Sequence, residues 1–195
     1  MSRRVEARAL RDELGTDGSV VKQISLITGA CFSTLLWPAS SAPSAILNVP
    51  VAARVLSFVQ PPPSGVVPVA IVYLPGNNES EAEASAMERS LARSAVSGRA
   101  LIRTHRVAVS NLAQMSGTRA AFVTSGLRSY QNDLAETASE QAILTITSDT
   151  GCVVAGRCVV GITEGAKTQI VVSKEAARRS RIRFGSAFLM LVKEV

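Results

Sequence analysis

Residues 66–74 read VVPVAIVYL, nine positions without a charge and with β-branched side chains at Val66, Val67, Val69, Ile71 and Val72. A strand with one wet face alternates apolar and polar residues, so a continuous apolar run of this length reads as a strand buried on both faces. Pro75-Gly76-Asn77-Asn78 closes it as a turn. Two further runs of the same kind are AAFVT at 120–124 and ILTIT at 143–147. Between them the pattern changes to helical. Residues 79–97 are rich in alanine and glutamate, with acidic residues in the first turn, where they suit the helix dipole, and Gly98 as a stop. Residues 100–109 alternate as a strand, 111–115 fit a short helix, and 127–138 fit a second long one. Parallel neighbours need crossover connections, and alternating strands and helices supply them. The chain from 66 to 147 therefore predicts an α/β fold: a single three-layer domain, mostly parallel or mixed sheet with helices on both faces.

The segments on either side complete the domain. Residues 46–59 (ILNVPVAARVLSFV) have helical spacing, with Val51, Val55, Leu56, Phe58 and Val59 on a broad apolar face and Pro50 in the first turn. Pro61-Pro62-Pro63 ends that helix, because proline has no donor and restrains the residue before it. Downstream, 159–163 and 168–172 predict an antiparallel hairpin around Glu164-Gly165-Ala166-Lys167, which adds antiparallel edge strands. Residues 174–183 and 186–192 predict two closing helices.

The N-terminus has a different character. Residues 1–19 are polar and charged, and Lys22 precedes an uncharged run of 14 at 24–37 (ISLITGACFSTLLW). Pro38 and the small residues ASSAPSA follow. A basic residue, a short apolar run and a small-residue exit describe a cleavable signal peptide, and the run is short for a membrane span, which needs about 20 residues. Val20 or Val21 as the start leaves an ordinary signal. Ala39-Ser40-Ser41 and Ala42-Pro43-Ser44 both satisfy the small-x-small rule for cleavage. The competing readings are a buried N-terminal helix or an uncleaved anchor. Cys31 lies inside the run and reads as one of its small apolar residues rather than as a lipidated cysteine. The expected division is residues 1–44 as extension and signal peptide, 46–195 as the α/β domain, and a periplasmic location. Cleavage near residue 44 removes five basic and four acidic residues, so the basic excess survives.

Composition sets the limits on chemistry. Hydrophobic residues make up 47% and charged residues 18%, which suits a folded domain. Aromatics are only 4%, so the core must be built from alanine, valine, leucine and isoleucine. Cys152 and Cys158 enclose a short loop with Gly151 and Gly156. In an oxidising compartment two thiols this close favour a disulfide that pins the connection between two strands; the alternative is a pair of unlinked, buried small residues. Two cysteines and the distant His105 are too few ligands for a metal site. His105 sits on an alternating strand, with no GxSxG elbow to supply a nucleophile, and reads as a surface or edge histidine. Asp149 follows a buried strand, where α/β enzymes place catalytic carboxylates, but Ser148-Asp149-Thr150-Gly151 reads as a turn. No phosphate-binding glycine loop occurs, and no cofactor is implied. Arg178, Arg179, Arg181 and Arg183 form a basic cluster on the predicted 174–183 helix, and Glu175 is spaced to pair with Arg178 or Arg179. That cluster is either a solvated helix face or a docking surface for an acidic partner or a dimer mate. Export and the shortage of stacking aromatics argue against nucleic acid.

Several stretches fall in a recognisable order: Phe58-Val59-Gln60-Pro61; the strand and turn at 67–76; Ala121-Phe122-Val123-Thr124-Ser125; Ile143-Leu144-Thr145-Ile146-Thr147-Ser148-Asp149; and Ala176-Ala177-Arg178-Arg179-Ser180-Arg181-Ile182-Arg183. With a signal peptide in front, the chain from 49 to 195 resembles the YfiR/HmsC-type family of small periplasmic bacterial proteins, known chiefly as repressors of membrane-bound diguanylate cyclases. It departs from that pattern in lacking a tryptophan before Pro61, in having Gly156-Arg157 where a Gly-Gly pair is usual, and in having Ser173 for an asparagine. The resemblance implies a non-catalytic regulator, a homodimer, that contacts the periplasmic domain of an inner-membrane diguanylate cyclase. It also implies release by an outer-membrane lipoprotein or an envelope redox signal, and an effect on cyclic di-GMP signalling and biofilm formation. The alternative is a periplasmic solute-binding component with a deep cleft near Gly76, Ser125 and Asp149. A hydrolase has no nucleophile–base pair to rest on.

Overall fold

A computed structural model of the chain describes residues 47–93 and 100–195, all within the compact unit Ala42–Val195. The signal-peptide reading of 1–44, with Cys31, and the helix stop at Gly98 lie outside the described residues. β1 (Gly65–Tyr73) is the pivot of a single sheet: it pairs in parallel with β2 (Ala100–Ala108) on one side and β3 (Ala120–Val123) on the other. β4 (Leu144–Thr147) and β5 (Val160–Thr163) continue in parallel, and β6 (Gln169–Val172) returns antiparallel to β5. The strand order is β2-β1-β3-β4-β5-β6-β7, with β7 (Lys193–Glu194) parallel to β6. The mostly parallel α/β sheet expected from the sequence is the sheet that forms. The hairpin is present, but β7 lies outside it, so β6 is not an edge. Residues 186–192, expected as one helix, instead form α6 (Ser186–Leu189) and lead into this two-residue strand.

β1 shows why its sequence is apolar throughout. Val67, Val69 and Ile71 face one core, and Ala70 and Val72 face the other. The first core packs against α1 (Val49–Val55), α2 (Asn78–Ala92), α5 (Lys174–Arg179) and Phe188 of α6; the second packs against α3 (Gln131–Gln141) and the 3-10 turns at Val109–Met115. Pro68 is tolerated inside this central strand for a geometric reason. Its carbonyl accepts from Arg119 N at 2.9 Å, so its missing N–H also faces the β3 side, just before β3 begins at Ala120.

The helix starts follow local rules. Asn48 and Asn77 cap α1 and α2 by accepting from Val51 N and Ser80 N at 3.1 and 2.9 Å. Glu79 and Glu81 occupy the first turn of α2. α5 differs from expectation: it stops at Arg179 rather than Arg183. Arg181 takes φ +55°, Arg181 N reaches Arg178 O at 3.1 Å, and Ile182 N reaches Ala177 O at 2.8 Å. This is a Schellman cap, with arginine in the left-handed position usually taken by glycine, which is why the stop leaves no sequence signal. Among the described residues no helix is long and apolar enough to cross a membrane.

Candidate functional site

The two cysteines are brought together by a short helix, not by a plain loop between strands. α4 (Thr150–Val154) starts at Asp149, whose Oδ1 accepts from Gly151 N at 2.9 Å and Cys152 N at 3.3 Å. The expected turn at 148–151 is therefore a helix cap, and this carboxylate is engaged in capping. The helix ends in a second Schellman arrangement. Gly156 takes φ +69°, Gly156 N bonds Val153 O, and Arg157 N bonds Cys152 O, both at 2.9 Å. That reversal returns Cys158 to Cys152 at a Cα separation of 5.3 Å, and the disulfide forms. Both cysteines are buried with Val153 and Val171 in a small satellite core. Gly161 on β5 lets α4 lie this close, since a Cβ there would sit 2.9 Å from Val153 Cγ2.

Polar side chains tie the stapled helix to its neighbours. Gln131 at the start of α3 donates to Asp149 Oδ2 at 2.9 Å and accepts from Arg157 Nη1 at 3.2 Å. Arg179 donates to Gly156 O and lies 3.7 Å from Glu175, so the one-turn pair expected of Glu175 forms with Arg179. Arg181 donates to Glu140 O at 2.7 Å and Ser139 O at 3.4 Å, capping the carbonyl end of α3. The four arginines thus do not share one helix face. Arg179 and Arg181 are engaged within the fold, while Arg178 and Arg183 are exposed and make no ion pair or side-chain hydrogen bond among the described residues. A depression of about 410 Å³ lies here, with Asn132 and Glu136 of α3 on one side and Ala155, Arg157 and Arg179 on the other. Gln131 and Arg157 carried no local signal, because their partners are 18 and 26 residues distant.

The strand order reverses between β1 and β3, where open α/β sheets commonly form a ligand crevice at the strand C-termini. Here the polar groups bond one another. Ser80 Oγ lies 2.7 Å from Thr124 Oγ1 and accepts from Leu74 N, and Gly76 N donates to Glu81. Glu83 Oε2 accepts from both Ser125 N at 2.7 Å and Ser125 Oγ at 2.8 Å. Gly76, Ser125 and Asp149 line none of three depressions found among the described residues.

Glu83 Oε1 is buried without a hydrogen-bond partner among the described residues. Burial holds the Glu83 carboxyl above the usual glutamate range; the Ser125 hydrogen bonds pull it down, and the nearby Glu79 adds to the rise. A raised folded-state value means that this group's contribution to stability is fully present below the ordinary value of 4.5 and is lost as pH rises through the raised one. Glu83→Gln keeps an acceptor for Ser125 and cannot ionise. Its melting temperature relative to wild type is expected to be higher at about pH 7 than at about pH 4. Equal differences at the two pH values, read by calorimetry, would show that the carboxylate is not under strain from burial.

His105 lies on the edge strand β2, as expected, with Nε2 3.3 Å from Gln114 O. Among the described residues no three His, Cys, Asp or Glu gather as a metal site.

A family model described as YfiR/HmsC-like matches residues 48–193. None of the curated proteins matches the sequence. Two solved structures share the architecture. One is the ligand-free, open structure of CD0873, a substrate binding protein with adhesive properties from Clostridium difficile, with a TM-score of 0.52 at 12% identity over 66% of this chain and 54% of that one. The other is a conserved domain protein from Vibrio cholerae, with a TM-score of 0.55 at 13% identity over 75% of this chain and 60% of that one. The chain spans just over half the length of each, and at these identities the likeness is one of fold.

Proposed function

The chain belongs to the YfiR/HmsC-like family, and from that premise we propose that it is a periplasmic regulatory protein that represses a membrane-bound diguanylate cyclase by protein–protein contact. In this reading residues 1–44 are a cleaved leader and 46–195 the working domain. The domain acts as a homodimer on the cyclase's periplasmic region, lowers cyclic di-GMP and so restrains biofilm formation. Release comes from an outer-membrane lipoprotein or from an envelope redox signal acting at Cys152–Cys158. The observation that carries the reading is the extent of the family match, which spans nearly all the described residues.

The stapled helix and the C-terminal arginines support a docking surface. Val154 on α4 is 68% exposed and gives that surface an apolar contact. Of the four arginines, Arg178 and Arg183 are the two left free for an acidic partner among the described residues. Arg179 and Arg181 serve that surface indirectly, by holding α4 and α3 in place.

The test is cellular cyclic di-GMP in a deletion strain complemented with wild type or with Arg178→Glu/Arg183→Glu. Deletion should raise the level and wild type should restore it. The double variant, present at equal abundance and with an unchanged melting temperature, should leave the level near that of the deletion. An unchanged level on deletion, with a cyclase of this type expressed, overturns the reading. The solute-binding alternative predicts ligand-induced stabilisation at the switch point, where the polar groups bond one another.

A further inference from the structure

A second groove borders the C-terminal arginines, with Ile182, next to Arg183, in its lining. It lies at the N-terminal ends of β1, β3 and β4, under the segment that joins α1 to β1. Gln60 N donates to Arg183 O at 2.8 Å, Gly185 N donates to Phe58 O at 3.0 Å, and Val59 bridges Phe184, so this segment is anchored to the C-terminal one. Pro61, Pro62 and Pro63 offer no donors and form an apolar wall. The floor is Leu56, Val67, Leu144 and Ile182. The volume is about 350 Å³, at the lower end of sites that take small ligands.

The rim decides the charge. Arg119 lines the groove, and among the described residues no aspartate or glutamate does. Its main chain is committed to Pro68 O and Leu144 N, whereas its exposed guanidinium makes no ion pair or side-chain hydrogen bond among the described residues. Ala142 at the carbonyl end of α3 also lines the groove, but the Ser139 and Glu140 carbonyls of that helix are already capped by Arg181. A trough whose exposed lining is about half polar and half apolar, with the Arg119 cation at its mouth, matches a small molecule with an apolar body and a single negative head.

We propose that this groove binds a medium-length monocarboxylate, its tail along Val67, Leu144 and Ile182 and its carboxylate on Arg119. Val66, 55% exposed on the rim, covers the tail once it is seated. The inference rests on the groove alone and holds whether or not the protein governs a cyclase.

The test is a methyl NMR titration of the protein with decanoate, and with decylamine as the cationic analogue of equal length. Decanoate should give saturable shifts at the methyls of Val66, Val67, Leu144 and Ile182, and decylamine should not. Arg119→Gln should weaken decanoate about tenfold through loss of the charged hydrogen bond. Val66→Asp places a like charge at an exposed rim position and should weaken it as well, which keeps the test decisive if one variant folds poorly. No saturable shift at these methyls, equal binding of the amine, or an affinity unchanged in both variants would overturn the proposal.

Discussion

Replacing Phe188 with alanine is expected to lower the unfolding free energy by about 3–5 kcal/mol and the melting temperature by about 10 °C. Aromatics are scarce in this chain, and three of its five phenylalanines gather at one place. Phe188 is 2% exposed, stacks on Phe58 with ring centroids 4.9 Å apart, and meets Phe184 at 5.1 Å. Its ring holds the C-terminal segment against the end of the first helix and packs into the larger core. Around it lie short main-chain ties, among them Gln60 N to Arg183 O, Gly185 N to Phe58 O, Lys174 N to Val195 O and Val195 N to Val172 O, and the partly buried side chains of Leu189 and Val192. The Lys174–Glu194 ion pair is largely solvent-exposed and adds little. A loss of several kcal/mol is a large share of the 5–15 kcal/mol that holds a typical domain. Phe188→Leu, which keeps most of the volume, should cost under about 1.5 kcal/mol. Chemical denaturation of both variants checks this, and a loss below about 1 kcal/mol for alanine would show that the aromatic cluster does not anchor the segment.

Removing the Cys152–Cys158 bridge is expected to cost about 2 kcal/mol, the loop-closure value for so short a ring. Alanine is the cleaner replacement, because serine would place two hydroxyls in the apolar cluster with Val153 and Val171. Asp149 still caps the short helix, and Gly156 still reverses the chain behind it, so the segment should stay helical and open locally rather than unfold the domain. Reductant should lower the melting temperature of wild type by the same amount and leave Cys152→Ala/Cys158→Ala unmoved. No shift in either protein would show that the native packing already holds the loop without the bond. If the double variant represses a cyclase as well as wild type does, redox release through this bond is wrong, whatever the stability result.

How much of this was legible in the chain depended on the range of the interaction. Residues 66–74, 120–124 and 143–147 announced buried parallel strands, because a strand covered on both faces must be apolar at every position. The two helices were legible as elements but not their starts: the expected beginnings at 46 and 79 give way to Val49 and Asn78, set by the caps Asn48 and Asn77. The apolar stretch at 152–154 did not announce a helix, because its conformation rests on Asp149 before it, on Gly156 behind it, and on the space left by Gly161 on a neighbouring strand. The last strand is two residues long and has no period to read. The four arginines looked equivalent in sequence. Their separation into two engaged and two free followed from where the third helix ends and where the stapled turn exposes a carbonyl.

By itself, then, the sequence determined the fold class, the buried strands and the cysteine pair as a disulfide candidate. Tertiary structure decided the rest: the helix between the cysteines, the hydrogen bonds at the switch point, and the groove whose walls come from residues as far apart as Leu56 and Ile182. The physical reason is that periodicity and capping act within a few residues, whereas a free cation or an open groove is defined by what distant segments leave unpaired.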